Sequence, residues 1–443
     1  MTFWSFVVYL LMPYALGNLV WRALRYPAYW HRWPERFGFV PPLTGTRTIW
    51  VHAVSVGEVR SATPLILALA DRYPQHRLVV TTMTPTGAAQ VRELCGDRVT
   101  HCYVPYDLPD AVRRFLRRVR PEVAVIAETE FWPNIFAECG RRKIPLLLVN
   151  GRVSQASLRG YLRVPNITRA MLANADLLCA QTRVDAQRLR NLGVTESLIH
   201  VTGNLKFDVE LPVRLLEEAH ELRGQWGRTR PVWIAASTHR GEERKVLDAF
   251  ARLKARLPEL LLVLVPRHPE RFRSVARLCR GRGYAVALRS GAPGALAPGT
   301  EVLVGDTMGE LQRLYAASDV AFIGGSLVPH GGQNLLEACA VRVPVVFGPH
   351  MFHFEEISAM ALERGAARQV LDFDGLVAAV ALYFEQPELR LAAGRAAHTL
   401  VTENRGALER TLRLVETTLR ADGWHEATPP AKVGAAAASV RSR

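Results

Sequence analysis

Residues 323–337 read Ile-Gly-Gly-Ser-Leu-Val-Pro-His-Gly-Gly-Gln-Asn-Leu-Leu-Glu and run from an apolar strand through a glycine-rich bend into a predicted helix. Glycines let the backbone approach an anion closely, and the exposed amides at a helix start favour negative charge. We therefore predict a phosphate near Gly331 and Gly332. Asn334 and Glu337 share a face one turn into the predicted helix, where a carboxylate can accept ribose hydroxyls. The pattern predicts a nucleotide-linked ligand, although a glycine pair before a helix also occurs as plain packing.

The length and charge of the chain limit the number of domains and the kinds of partner that it can have. With 443 residues it predicts two domains of about 200 residues each. Hydrophobic residues make up 49% and charged residues 22%, as in globular proteins. The 56 Lys and Arg against 41 Asp and Glu leave a formal charge of +15, which predicts an acidic partner. Nucleic acid, an anionic membrane surface and a phosphorylated substrate all fit that charge.

The N-terminal segment distinguishes among these partners. Residues 1–21 contain no charged side chain, and a basic, aromatic stretch begins at Arg22. This order is typical of a membrane interface with the body of the protein on the cytoplasmic side, and it fits a secretory signal peptide poorly. We predict a membrane-anchor helix at 1–25. The alternative is a buried first helix, because Pro13 and Asn18 interrupt the apolar span.

Cysteine and aspartate spacing give no sign of a metal site. The six cysteines are scattered without a Cys-x-x-Cys spacing, so we expect reduced, mostly buried thiols. The Asp-x-Asp at 372–374 precedes an apolar helix and predicts a helix cap rather than a metal clasp. Residues 426–443 are rich in Ala, Pro and Ser and predict a disordered tail.

Short apolar strands alternate with helices in both halves of the chain. The predicted strands are residues 48–53, 78–82, 123–127, 145–149, 177–180 and 199–202, then 232–236, 261–265, 301–304, 320–323 and 343–347. The alternation predicts an α/β fold with two facing Rossmann-like domains around a cleft, each with a mostly parallel sheet. We place the domains at 26–208 and 209–425, with the alternative that the final helix packs back on the first domain.

The loops after the predicted strands are unusually polar. Ligands of open α/β sheets gather at the carboxyl ends of strands, where this chain places Glu58, Glu128 and Glu130 in its first half. Cations and backbone donors follow the strands of the second half, as at Arg267. Each residue also has a structural interpretation: Glu58 can complement a helix N-terminus, Glu128 can be a paired acid, and Arg267 can be a solvated cation. Their predicted convergence at one cleft favours an active site.

As a set, these motifs resemble the lipid A Kdo transferase family, which transfers 3-deoxy-D-manno-octulosonic acid (Kdo). The resemblance extends over nearly the whole chain. It rests on Ser-Val-Gly-Glu (55–58), Glu-Thr-Glu-Phe-Trp-Pro-Asn (128–134), Asn-Gly-Arg-Val-Ser (150–154), Gly-Asn-Leu-Lys-Phe-Asp (203–208), Pro-Arg-His-Pro-Glu-Arg-Phe (266–272) and Pro-His-Gly-Gly-Gln-Asn-Leu-Leu-Glu (329–337). Gly-Gly-x-Asn-x-x-Glu alone is less specific, because it resembles a general feature of GT-B glycosyltransferases.

The resemblance implies an inverting transfer of Kdo from CMP-Kdo to a lipid A precursor, the tetraacyldisaccharide 4'-phosphate, in lipopolysaccharide core biosynthesis. It implies Glu58 as the base, Glu128 and Lys206 as stabilising groups on the sugar side and the anionic side, and Glu130 as a second carboxylate. A single phosphate can rely on amides and cations, so we expect no metal and no cofactor beyond the donor substrate. The expected nucleotide-binding residues are Ser237, Arg267, His268, Met308, Gly309, Glu310, His330, Gly331, Gly332, Asn334, Leu335, Leu336 and Glu337.

The implied acceptor is anionic and lies in the bilayer. We therefore expect an inner-membrane protein, anchored by its N-terminus, with catalytic domains on the cytoplasmic face and an anionic lipid surface rather than nucleic acid as partner. One alternative is another GT-B-like enzyme that uses a UDP-sugar, either an epimerase or a lipid A disaccharide synthase, and nucleotide preference distinguishes it. A second is a non-catalytic protein that binds anionic lipid or nucleic acid through arginines, and steep salt dependence without CMP binding would favour it.

Overall fold

A computed structural model describes residues 3–43, 47–291 and 295–421 of the chain. Its contacts divide the chain into two compact units, Met1–Leu205 with Gly406–Arg443 and Lys206–Arg405. The boundary predicted after residue 208 lies a few residues beyond this division. The range 209–425 predicted for the second domain also includes a final helix that belongs to the first unit. The disordered tail predicted at 426–443 lies outside the described residues.

The first unit is built around a parallel sheet. Over the part of the chain that is described, its strands are β1 (Arg47–His52), β2 (His76–Thr82), β3 (Thr100–Tyr103), β4 (Pro121–Ala127), β5 (Leu146–Gly151), β6 (Leu177–Ala180) and β7 (Ile199–Val201). They pair in the order β3-β2-β1-β4-β5-β6-β7, so the chain winds outward from β1 in both directions. Its helices up to this point are α1 (Phe3–Arg25), α2 (Val56–Arg72), α3 (Pro85–Cys95), α4 (Pro109–Val119), α5 (Pro133–Arg142), α6 (Gln155–Leu162), α7 (Pro165–Leu172) and α8 (Arg183–Asn191).

The second unit repeats this plan. Its described strands are β8 (Val232–Thr238), β9 (Leu261–Pro266), β10 (Val286–Leu288), β11 (Val302–Val304), β12 (Val320–Ile323), β13 (Val345–Phe347) and β14 (Ala367–Gln369), in the order β10-β11-β9-β8-β12-β13-β14. Its helices are α9 (Leu215–Trp226), α10 (Glu242–Lys254), α11 (Phe272–Gly281), α12 (Leu311–Ala316), α13 (Leu336–Ala340), α14 (Glu355–Glu363), α15 (Phe373–Glu385) and α16 (Pro387–Asn404). The described strand pairs of both sheets are parallel, which confirms the α/β prediction of two Rossmann-like domains.

The central strands were predicted and three outer strands were not. β1, β4, β8 and β12 are buried almost throughout, because helices cover both faces of each sheet. The missed strands β3, β10 and β14 all lie at a sheet edge, and each is three or four residues long. An edge strand pairs on one side only and keeps part of its surface in water, and these three are too short to give a strand pattern in the sequence.

The last described helix, α17 (Ala407–Ala421), packs against α2 and β6 in the first unit. Leu412, Val415 and Leu419 are nearly or fully buried in the same hydrophobic cluster as strands β1 and β4. Arg72 of α2 also pairs with Glu416, and with Glu409 at 3.4 Å. This packing is the alternative foreseen for the final helix.

Among the described residues, one helix is long and apolar enough to cross a membrane. It covers Trp4–Arg25 of α1 with a mean hydropathy of 1.3, and Pro13 lies inside it without ending it. Only 6% of its apolar window is buried, so the alternative of a buried core helix is wrong. α1 is a candidate membrane anchor.

Candidate active site

Glu58 lies in the first turn of α2, and its carboxylate closes the start of that helix. Its Oε1 accepts a hydrogen bond from the Ser55 hydroxyl at 2.7 Å, and its Oε2 accepts one from the Val54 amide at 2.7 Å. The Ser55 hydroxyl accepts in return from the Glu58 amide at 3.3 Å. This reciprocal arrangement is a variant of the capping box, in which the glutamate accepts from the amide of the residue before the N-cap. Glu58 therefore does complement the helix N-terminus, as its structural interpretation holds, and these hydrogen bonds fix the position of its carboxylate.

The surroundings of Glu58 favour its protonated form. Burial raises its pKa to about 7, the charge of Glu130 adds to the rise, the Ser55 hydrogen bond opposes it, and the charge of Glu128 adds to it again. Burial also raises the pKa of Glu130, whose Oε2 accepts from the Trp132 indole at 2.8 Å. A carboxyl group with a pKa near neutrality, such as Glu58, can accept a proton in general base catalysis.

Glu128 connects the carboxylate loop to α2. It stands directly after β4 with a φ of 58°, an uncommon value for a residue with a side chain. Its amide donates to the Val149 carbonyl at 2.8 Å, and its Oε1 accepts from the Ser61 hydroxyl at 3.3 Å. The structure thus brings Glu58, Glu128 and Glu130 together, as predicted. Sequence reasoning missed Ser61, which lies one helical turn after Glu58 on α2.

Lys206 belongs to the second unit, whereas the three glutamates belong to the first. It lies in the short 3-10 turn Leu205–Phe207, and its Nζ lies 5.5 Å from the centre of the Phe354 ring. Next to Phe354, the His353 amide donates to the Gly331 carbonyl at 3.0 Å. Lys206 is therefore associated with the segment that packs on the glycine pair.

The predicted helix start at the glycine pair is wrong. α13 begins at Leu336, and residues 331–335 are irregular. Gly331 and Gly332 have φ values of +88° and +74°, and a Cβ on Gly332 would lie 2.3 Å from the Met351 sulfur. The Gly332 amide donates to the Gly325 carbonyl at 2.9 Å. The two glycines therefore serve close packing and left-handed backbone, and the Gly332 amide is committed within the protein.

A buried carboxylate already fills part of the glycine-rich bend. Glu242, the first residue of α10, is 0% exposed and accepts hydrogen bonds from the amides of Gly325 at 2.7 Å, Ser326 at 3.0 Å and Leu327 at 2.9 Å. It also accepts from the His239 amide at 2.9 Å. Glu242 joins the loops after β8 and β12. Sequence reasoning missed this role, although an acid at a helix start beside a glycine was a visible signal.

Three histidines from different loops meet above the second sheet. The rings of His239 and His330 stack with centroids 4.3 Å apart, and the rings of His239 and His268 meet edge to face at 5.5 Å. Gln333 lies 3.2 Å from the His239 ring nitrogen. Burial lowers the pKa of His239 to about 4, and the charges of its neighbours His330 and His268 lower it further. The predicted convergence of the loops after β8, β9 and β12 is confirmed within this unit.

The turn after β11 is held by ionic and hydroxyl contacts. Burial opposes ionisation of Glu310, but its hydrogen bonds with Thr307 and Arg289 keep its pKa below the usual value. The adjacent Gly309 has a φ of +79°, and Met308 is 62% exposed. This turn therefore presents an apolar side chain to the solvent.

The remaining predicted nucleotide residues differ in what they can offer. The Asn334 side-chain Nδ2 donates to Glu337 Oε1 at 3.1 Å, and its side-chain Oδ1 accepts from the Leu336 backbone amide at 3.1 Å. Leu335 and Leu336 are 0% exposed, so only their backbones can reach a ligand. Ser237 has a φ of 55°, and its carbonyl packs so closely on Gly324 that a Cβ there would lie 2.4 Å away.

The predictions about cysteine and the Asp-x-Asp motif are confirmed. All six cysteines are buried free thiols. The Asp372 side chain accepts from the Gly375 amide at 2.9 Å and caps α15. No group of three or more His, Cys, Asp or Glu side chains able to hold a metal ion occurs within residues 3–43, 47–291 and 295–421.

Comparison with known proteins agrees with the carboxylate motifs. A profile described as 3-deoxy-D-manno-octulosonic-acid transferase (kdotransferase) matches residues 31–209. The chain is 39% identical over 423 residues to the 3-deoxy-D-manno-octulosonic acid transferase of Haemophilus influenzae, covering 94% of this chain and 98% of that one. The chain belongs to the Kdo transferase family. Its identity to the Bordetella pertussis enzyme of the same name is 38% over 429 residues, covering 93% and 99% of the two chains.

Family membership makes the protein a glycosyltransferase and confirms the resemblance drawn from its motifs. Solved structures confirm the fold class. The UDP-GlcNAc 2-epimerase of Neisseria meningitidis, solved with bound UDP-GlcNAc, superimposes with a TM-score of 0.52 at 14% identity, covering 84% of this chain and all of that one. At that identity the likeness shows a shared GT-B-like architecture only.

Proposed function

We propose that this Kdo transferase uses CMP-Kdo as donor and a lipid A precursor as acceptor, with inversion at the anomeric carbon. The observation that carries the proposal is the buried carboxylate cluster of the first unit. Glu58 is held by two hydrogen bonds, and burial together with Glu130 and Glu128 raises its pKa to about 7. A base of this strength can take a proton from a sugar hydroxyl near neutral pH.

In the proposed reaction an acceptor hydroxyl oxygen attacks the anomeric carbon of Kdo. The new bond forms as the bond from that carbon to the CMP phosphate oxygen breaks, and the hydroxyl proton passes to the ionised Glu58. Positive charge develops on the sugar ring and negative charge on the departing phosphate. We assign the first to Glu128 and Glu130 and the second to Lys206.

The second unit is the proposed binding site for CMP. Arg267 follows β9, and its amide donates to the Thr238 carbonyl at 3.0 Å, which fixes the start of a cationic loop. The adjacent histidine cluster and the turn at 308–310 supply ring faces and an exposed methionine for a pyrimidine base. Glu337, oriented by Asn334, is the proposed acceptor for the ribose hydroxyls. We expect the donor phosphate to depend on cations rather than on the committed Gly332 amide.

Because the proposed acceptor is a membrane lipid, the enzyme would act at a membrane surface. An inner-membrane location with catalytic units on the cytoplasmic face is consistent with α1 and with the formal charge of +15. Both features favour an anionic lipid surface as partner, with no role for nucleic acid.

The test incubates detergent-solubilised enzyme with freshly generated CMP-Kdo and tetraacylated lipid A precursor, and reads products by mass spectrometry. Wild type should add one or more Kdo units, and Glu58→Gln should add none. Glu122→Gln is the matched control, because Glu122 lies at the start of β4, whereas Glu128 follows the end of that strand. Absence of product from folded wild type that still binds CMP would refute the acceptor assignment.

The same preparation tests the alternative that the enzyme binds a UDP-sugar instead of CMP-Kdo. CMP should compete with donor and should bind more tightly than UMP or UDP in calorimetry. Preference for a uridine nucleotide would replace the CMP-Kdo assignment with that of another GT-B enzyme, whose fold this chain shares.

A further inference from the structure

The first turn of α1 is bonded to the globular part of the first unit. The Trp4 indole donates to Asp107 Oδ2 at 3.1 Å, and the buried Ser5 hydroxyl donates to Asn134 Oδ1 at 2.8 Å. One turn later the Tyr9 hydroxyl donates to Asp110 Oδ1 at 2.6 Å. The N-terminal end of the candidate anchor is therefore seated on protein.

The seat of α1 consists of Asp107 and Asn134, which are hydrogen-bonded to each other. Asp107 accepts from the amides of Asn134 at 3.0 Å and Ile135 at 2.9 Å, and its carbonyl accepts from the Asn134 side chain at 2.6 Å. Asn134 closes the loop that carries Glu128 and Glu130 and lies in the first turn of α5. The same residues therefore hold the start of α1 and the end of the carboxylate loop.

The chain that follows α1 returns to the same place. The Tyr106 amide donates to the Arg36 carbonyl at 2.7 Å, and the Tyr103 amide donates to Glu35 Oε2 at 2.8 Å. Arg22, in the last turn of α1, lies close enough for its charge to act on Tyr106. The chain just beyond the end of α1 is thus hydrogen-bonded to the end of β3 and to the segment between β3 and α4.

This geometry conflicts with a transmembrane span. A helix of 23 residues is about 35 Å long, so a spanning helix carries its two ends to opposite sides of a bilayer. Here the start of the helix is hydrogen-bonded to the unit that also binds the chain just beyond its end. A stripe of less exposed residues runs along the whole helix, formed by Ser5, Val8, Met12, Leu16, Leu19 and Ala23.

The opposite side of α1 is exposed and apolar. Leu10 is 68% exposed and Leu24 is 73% exposed, and Gly17 lies between them on the same face with no atom within 4 Å of an added Cβ. Cations lie at the C-terminal end of the helix: the Arg25 guanidinium lies 4.2 Å from the centre of the Trp21 ring, and Arg22 is exposed. An apolar strip flanked by arginines and tryptophan matches the boundary between acyl chains and anionic headgroups.

We propose that α1 lies flat in one leaflet of an anionic bilayer, seated on the first unit by Asp107 and Asn134, and does not cross the membrane. The seat joins the membrane-facing helix to the loop of Glu128 and Glu130. Bilayer contact then sets the height of that loop above the lipid surface. The inference concerns topology and is independent of which sugar the enzyme transfers.

The test measures the depth of three positions seven residues apart on the exposed face. Single cysteines are introduced by Leu10→Cys, Gly17→Cys and Leu24→Cys, labelled with a fluorophore, and bound to phosphatidylethanolamine–phosphatidylglycerol vesicles that carry nitroxides at shallow or deep acyl positions. The six native thiols are buried, so labelling is selective. A flat helix gives the same ratio of shallow to deep quenching at all three positions, within about twofold. Strong deep quenching at position 17 with shallow quenching at position 24 would overturn the proposal.

A second measurement fixes the side on which the chain begins. A cysteine added before Met1 is treated with a membrane-impermeant maleimide in spheroplasts and in inverted inner-membrane vesicles, with Val213→Cys, at a fully exposed position, marking the side of the globular units. Both cysteines should react in the same preparation. Reaction of the N-terminal cysteine in the opposite preparation from position 213 would show a span and refute the proposal. Reaction only after detergent would place the chain start inside the leaflet, in agreement with it.

Discussion

Replacing Glu58 by glutamine should abolish transfer and stabilise the enzyme above neutral pH. The substitution keeps the shape of the side chain. A glutamine carbonyl can still accept from the Val54 amide, and its NH₂ can donate to the Ser55 hydroxyl. What it removes is a buried negative charge beside Glu130 and Glu128.

The size of the effect follows from the pKa of Glu58, which burial raises from 4.5 to about 7. The folded protein holds this proton more tightly than the unfolded chain, so stability falls as pH rises from 4.5 to 7 and stays reduced above 7. A difference of 2.5 pK units corresponds to about 3 kcal/mol, and the Glu58→Gln variant would not carry this penalty. For a unit of this size, that is a rise in melting temperature of several degrees.

The assay records thermal unfolding of detergent-solubilised wild type and Glu58→Gln at pH 5 and pH 8. We expect the variant to melt several degrees higher than wild type at pH 8 and within about one or two degrees of it at pH 5. Glu93→Gln changes an exposed acid of α3 and should show no such pH-dependent gain. A variant that is less stable than wild type at pH 8, or a difference that does not change with pH, would refute the reasoning.

Three further predictions concern the pH dependence of transfer, the buried carboxylate of Glu242 and the packing of Gly332. The transfer rate should rise with pH through a midpoint near 7 as Glu58 ionises, and a rate independent of pH from 5.5 to 8.5 would contradict its role as base. Glu242→Gln should weaken CMP binding about tenfold in calorimetry, because one carboxylate orders the loops after β8 and β12; Glu388→Gln, at an exposed position outside the proposed site, serves as control, and equal affinities would exclude this role. Gly332→Ala should cost about 2 kcal/mol more than Gly365→Ala in denaturant unfolding, since both have positive φ but only the first Cβ meets a methionine sulfur; equal losses would leave backbone strain as the whole cause.

The structural features that the sequence predicts best are those that a single local pattern reveals. The strands β1, β4, β8 and β12 are buried on both faces, so unbroken apolar runs reveal them. The acids Glu58, Glu128 and Glu130 were found because each follows such a strand. Glu58 also shows that a structural and a catalytic interpretation can hold for the same residue, because the capping box fixes the carboxylate without neutralising it.

Features that depend on distant partners could not be predicted. Glu242 binds amides 83 to 85 residues away, and no local pattern records that pairing. The start of α13 was placed too early because a glycine pair looks like a helix entry, while here it serves packing on the segment around Met351. The start of α1 is hydrogen-bonded to Asp107 and Asn134, more than a hundred residues later, so its apolar composition alone could not distinguish a seated helix from a spanning one.

The return of α17 to the first unit has a consequence for how the protein is made. The second unit is one continuous insertion, Lys206–Arg405, so it can complete its packing as soon as its last strand and helix leave the ribosome. The first unit cannot, because Leu412, Val415 and Leu419 complete its hydrophobic cluster. At about 5 to 20 residues per second, the first unit waits on the order of ten to forty seconds after Leu205 is made. During that interval the surface later covered by α17 is open, and the unit synthesised first is the one that finishes last.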